Sequence, residues 1–197
     1  ERANEYCGLE YDLMVKGVRG ALQNIGTIVP GYKGQGFDIA GFVWFQGHKD
    51  KNVPKEVYEK HLANLIKDLR KEFKTPEMPA VVATVGFGVK EMDPGHLMTW
   101  EAQMAVGDPK QHPEFAGNVA SVDTRPFWRL RGESPTNTGY HYNHNAETYL
   151  LVGEALGEAM IALDDTRRAC IALAEFSETY PALAAGRLQG QYEANRA

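Results

Sequence analysis

The chain has 197 residues, of which 43% are hydrophobic and 24% charged, with a formal net charge of −5, enough for one α/β domain with a sizeable core. The acidic balance and the lack of any Lys/Arg run argue against nucleic acid or an anionic membrane as the main partner and leave a neutral or weakly charged small molecule. No apolar run approaches the ~20 residues that span a bilayer, and the two cysteines, Cys7 and Cys170, have no metal-type spacing and form no disulfide framework.

Residue 1 is Glu within "ERANEYCGLEYDL", which reads neither as a signal peptide nor as a natural start, so the compartment stays open, with secretion or a periplasmic home compatible. Met14, Val18, Leu22 and Ile25 recur at helical spacing, and "VPGYKGQG" then breaks the helix with one Pro and three Gly. "DIAGFVWF", residues 38–45, is short and apolar, and reads as a strand. It runs into Gln46, Gly47, His48 and Asp50, a polar cluster at a strand's carboxyl end.

A long helix follows, with Pro54 in its first turn, Glu56 near its positive end, and Tyr58, Leu62, Leu65, Ile66, Leu69 and Phe73 on one apolar face. "AVVATVGF", residues 80–87, is a second buried strand, after which Leu97, Trp100, Met104 and Ala105 mark another helix. "GNVASVDT", residues 117–124, is a weaker third strand. A long irregular stretch then carries Trp128, Tyr140, His141, Asn143, His144 and Asn145 into an amphipathic helix with Val152, Ala155, Leu156, Ala159, Met160 and Leu163 on one side. From Asp164 an Ala-rich tail fades into "LQGQYEANRA", so the expected division is a partial α/β domain over 1–163 and a helical or disordered extension over 164–197.

Strands alternating with helices predict a doubly wound parallel sheet in three layers, and in such sheets ligands bind outside the carboxyl ends of the strands. Gln46 to Asp50 and the His141 loop both fall at that edge. His141 and His144 lie three apart, but in a loop and without a clear carboxylate, so no metal or other cofactor is expected. No phosphate-cradling Gly-rich motif occurs, and the loop glycines Gly86 and Gly88 suit tight turns. Trp44, between Val43 and Phe45, reads as strand core, and Glu147 and Glu154 as charges on a helix face.

"GFVWFQGHKD" resembles the W-x-Q-G-E-x-D segment of the sialate O-acetylesterase and acetylxylan esterase group, carbohydrate esterase family six, among the SGNH-type hydrolases. "GYHYNHNAETYLLVGEALGEAM" is similar to that group's last block, a catalytic His in a loop before a helix. The resemblance implies an SGNH-like, flavodoxin-like α/β fold and a serine esterase that removes O-acetyl groups from a carbohydrate. His141 corresponds to the general base, and Gln46 and Gly47 to the oxyanion-hole segment. His48, Asp50, Asn143, Trp128 and Tyr140 are the candidate substrate contacts.

Two departures stand out. Ser121, Ser134 and Ser177 are the only serines, and none lies in a G-x-S-N-M-like nucleophile block. The sheet is therefore expected to lack its first βα unit, and the chain to be inactive alone, with its own missing portion or a second copy as partner. His48 and Thr138 stand where the group often has Glu and Asp, which leaves the acid partner of His141 open between Asp50 and Asp123. The alternative function is a non-catalytic carbohydrate-binding relative of the same fold.

Overall fold

A computed structural model describes residues 8–88 and 92–179, with the side chains of 167, 169–177 and 179 excluded. The chain divides into two compact units, residues 1–38 and 39–197. In the first, α1 (Leu9–Gln23) ends at Asn24, whose side chain returns a hydrogen bond to the Gly20 carbonyl at 2.8 Å, and a single turn, α2 (Ile25–Ile28), follows. Gly31, Gly34 and Gly36 all take positive φ in the loop beyond, the conformation that breaks the helix there.

The second unit is built on three parallel strands in the order β1-β2-β3: β1 (Phe42–Trp44), β2 (Ala80–Ala83) and β3 (Val119–Val122). Among the described residues no strand precedes β1. The expected first strand shortens from 38–45 to three residues because its ladder partner starts only at Ala80, after Pro76 and Pro79; the Phe42 amide bonds the Pro79 carbonyl, and nothing continues the pairing upstream.

Helices cover both faces, giving the α/β three-layer arrangement of an SGNH-like sheet. The alternation of side chains along β2 sorts the layers. Ala80 and Val82 pack with Tyr58, Leu62, Ala63 and Ile66 of α3 (Lys55–Glu72) and with Ala102 and Val106 of α4 (Pro94–Val106). Val81 and Ala83 face Val152, Leu156 and Leu163 of α5 (Ala146–Thr179). Because β2 is covered on both sides, all four of its residues are fully buried, which is why it reads as a continuous apolar run. β1 lies at the edge, and Val43 is half exposed.

α4 turns a different face inward from the one its large apolar residues suggest. Leu97 and Met98 are exposed, whereas His96, Thr99, Ala102, Gln103 and Val106 are buried. The start of the helix fixes this register: Asp93 caps it by accepting from the Gly95 amide at 2.9 Å, with Pro94 in the first turn. Small residues on the buried face let the helix lie close to the sheet. α5 runs unbroken past Asp164 to Thr179, so the boundary drawn at 163/164 falls inside a helix, and "LQGQYEANRA" and Cys7 lie outside the described residues.

Candidate active site

The register aligns the carboxyl ends of the three strands, with Trp44 beside Val82 and Val82 beside Ser121. Past that edge the β2 and β3 extensions stay tied by side chains: the Thr124 amide donates to Thr84 Oγ1 at 3.0 Å, and the Thr124 hydroxyl donates to the Thr84 carbonyl at 2.7 Å. The loops leaving this edge enclose a cleft of about 230 Å³. Gln46, Gly47, His48 and His141 line it together with Phe45, Val85, Phe87, Tyr142 and Tyr149. Residues distant in sequence thus meet at one place, and the walls are mostly aromatic and uncharged, suited to the apolar face of a neutral ligand.

At the end of β1 the chain turns sharply through Gly47, whose φ is 148°. A Cβ there would stand 2.8 Å from Val85 Cγ1 and 2.9 Å from Thr99 Cγ2, so both conformation and space require glycine. The Gln46 side chain is held at both ends. Its Nε2 donates to Asp50 Oδ2 at 2.5 Å, and its Oε1 accepts from the Tyr58 hydroxyl at 3.2 Å. Trp44 packs against the core and donates its indole N–H to Tyr58 at 3.1 Å, which makes it a brace for this turn.

His141 opens a run of four non-glycine residues, His141, Tyr142, Asn143 and His144, with φ of 48°, 49°, 53° and 56°. This is a left-handed turn, disfavoured by roughly 1–2 kcal/mol per residue, and strong local anchors hold it. Asn143 is buried: its Nδ2 donates to the Arg129 carbonyl at 3.2 Å and its Oδ1 accepts from the Gly139 amide at 2.9 Å. Asn145 donates to the Glu133 carbonyl at 2.8 Å and caps α5 by accepting from the Thr148 amide at 3.1 Å. Tyr142 stacks on Phe87 with ring centroids 4.6 Å apart, and burial pushes its phenol up to about 12.

Not every sequence candidate reaches the cleft. Asn143 spends both of its polar groups on the backbone and is a clamp for the His141 turn. Trp128 lies behind the wall, edge-on to Phe87 at 6.0 Å, and packs in the cluster of Val85, Phe87 and Tyr142. Tyr140 is exposed beside His141, their rings 5.0 Å apart, and edge-on to His48 at 6.4 Å. Asp50 faces Gln46. Asp123 is taken up by Arg125, whose Nε and Nη2 donate to it at 2.9 and 2.7 Å, and by the Trp100 indole at 3.1 Å. No carboxylate lines the cleft, and among the described residues no His/Cys/Asp/Glu group could hold a metal.

His48 leans on His96, ring centroids 5.2 Å apart, and on Phe87 at 4.9 Å. Burial, with His96 next in weight, holds the His48 imidazole below its ordinary value; burial does the same for His96, opposed by a bond to the His48 backbone and by Asp93. Both rings therefore favour the neutral form. The sequence reading missed His96, Tyr58 and Gln103. His96 and Gln103 share a face with Thr99 and Ala102 at helical spacing, but that face is polar in composition and gave no sign of being the one that packs.

The family model for carbohydrate esterases of the sialic acid-specific acetylesterase type matches residues 5–162. No curated protein and no solved structure matches the chain.

Proposed function

Since the chain belongs to the sialic acid-specific acetylesterase family of carbohydrate esterases, we propose that its cleft serves the hydrolysis of an acetyl ester on a sugar by a serine mechanism. The observation that carries this reading is the meeting of His141 with the Gln46–Gly47 turn in one uncharged cleft. His141 is the base that takes the proton of the attacking serine hydroxyl as its oxygen bonds to the acetyl carbonyl carbon. The carbonyl oxygen becomes an oxyanion, received by the Gln46 amide and the Gly47 N–H. As the oxyanion collapses, the bond from the acetyl carbon to the sugar oxygen breaks and His141 gives its proton to that oxygen; His141 then takes a proton from water as the water oxygen attacks the acetyl-serine, and acetate leaves as the serine recovers its proton.

Gln46 is suited to this part because its NH₂ is a neutral donor, with one hydrogen given to Asp50 and the second taken by no partner among the described residues. Among the described residues nothing accepts from the Gly47 N–H. The serine comes from outside the residues of this cleft: Ser121 donates to the Gln103 carbonyl at 2.6 Å, and Ser134 accepts from Asn145.

In the full-length protein, His141→Ala is expected to abolish acetate release from an acetylated sugar and from p-nitrophenyl acetate. A folded His141→Ala variant with wild-type kcat would end the esterase reading. The absence of a carboxylate at the cleft favours one alternative, a relative that binds acetylated carbohydrate without cleaving it. Saturable binding of an acetylated sugar by a full-length protein that never releases acetate would decide for that alternative.

A further inference from the structure

Gln103 is fully buried on α4, and none of its side-chain groups is idle. Its Oε1 accepts from the Val85 amide at 2.7 Å, while its Nε2 donates to the Gln46 carbonyl at 2.6 Å and to the Tyr58 hydroxyl at 3.1 Å. The Tyr58 hydroxyl also reaches the Gln46 carbonyl, at 3.1 Å. One side chain from α4 therefore grips the end of β1, the extension of β2 and, through Tyr58, α3.

We propose that Gln103 is a positioning residue for the oxyanion site, a conclusion that rests on the reading of Gln46 and Gly47 as oxyanion donors. The argument comes from the planarity of the peptide bond. The carbonyl oxygen of Gln46 and the amide hydrogen of Gly47 belong to one rigid trans unit and point in opposite directions. By holding that oxygen inward with a bond of 2.6 Å, Gln103 fixes where the Gly47 N–H stands. The Gln46 side chain is set by the same group of residues, since the single Tyr58 hydroxyl hydrogen is shared between its Oε1 and its carbonyl.

A buried amide is costly to desolvate and is tolerated only when every donor and acceptor is satisfied. An apolar residue would fill the same space against Val85 and Thr99. What an apolar residue cannot do is hold a peptide plane by a directed bond, and small displacements of a reacting group cost up to about 100-fold in rate. Gln103 touches neither substrate nor the reacting atoms, and acts through the Gln46–Gly47 peptide.

The test is a cycle of full-length variants, Gln103→Leu, Gln46→Ala and the two combined, assayed with p-nitrophenyl acetate. Gln103→Leu is expected to lower kcat by about 10- to 100-fold with KM unchanged. In the Gln46→Ala background the residue-46 carbonyl and the Gly47 N–H remain, so the Gln103 effect should persist there. An unchanged kcat in Gln46→Ala defeats the oxyanion reading itself. A slow Gln46→Ala combined with a fast Gln103→Leu, or with a Gln103 effect that disappears once the Gln46 side chain is gone, defeats positioning through the peptide alone. Should Gln103→Leu not fold, Tyr58→Phe removes only the hydroxyl from the same group and is judged by the same two criteria.

Discussion

Gln46 and Asp50 are joined across the turn at the end of β1, the Gln46 amide donating to the Asp50 carboxylate at 2.5 Å. A charge-assisted bond of this kind is stronger and more directional than a neutral one. Asp50 therefore orients the Gln46 amide proposed as an oxyanion donor, and the two residues should respond differently to substitution. In the full-length esterase Gln46→Ala is expected to lower kcat by roughly 10²–10³ with little change in KM. Asp50→Asn should give a smaller loss of the same kind. A defect confined to KM in either variant would make the pair a substrate-binding device.

Gly47→Ala is expected to damage both stability and rate. At φ of 148° the new methyl group meets Val85 and Thr99 inside van der Waals distance, and backbone strain of this type costs about 1–3 kcal/mol. A lowered thermal midpoint together with a lowered kcat is the expected result. A variant with wild-type midpoint and rate would show that the turn is not constrained as described.

The His141 turn offers a third test. Asn143→Ala would strip partners from the Arg129 carbonyl and the Gly139 amide, a loss of about 1–3 kcal/mol for buried groups left unpaired. The left-handed run from His141 to His144 would then lose its clamp and relax. Activity should fall more than in Asn137→Ala, a change in the same stretch at a residue that does not line the cleft. Equal activity in the two variants would place Asn143 outside the machinery.

Stability should depend on pH through His48 and His96. Both are held below the ordinary histidine value of 6.5 by burial, so between that value and their folded-state values the unfolded chain binds more protons than the native one. Stability then rises with pH across this window and is lost as pH falls below about 6.5. The carboxylates respond later; Glu114, drawn down to about 2 chiefly by Lys67, matters only at much lower pH. The thermal midpoint should drop between about pH 7 and pH 5, and His96→Phe, which keeps ring packing against Phe87, should flatten the drop. A midpoint equally steep in wild type and variant would assign the effect to other groups.

The alternation of short apolar runs with amphipathic helices was enough to place three parallel strands and the helices around them, because burial of β2 on both faces imposes its own composition on "AVVA". The segment "WFQGHKD" and the lone His141 before a helix carried the family resemblance, since polar side chains at a strand end must be spelled out in order. Strand length was not legible at β1, where pairing depends on where a neighbouring strand begins. Nor was the inward face of α4, because a helix with Gln103, Thr99 and His96 buried looks polar on the side that packs. The left-handed turn left no pattern in "HYNH"; tertiary anchors sustain it, among them the Arg129 and Gly139 backbone groups that Asn143 reaches in the folded chain. The same holds for Asn143 and Trp128, which look like ligand contacts in sequence and become supports in the fold. A side chain's type can be read along the chain, but the partner that claims its hydrogen bonds is chosen in three dimensions.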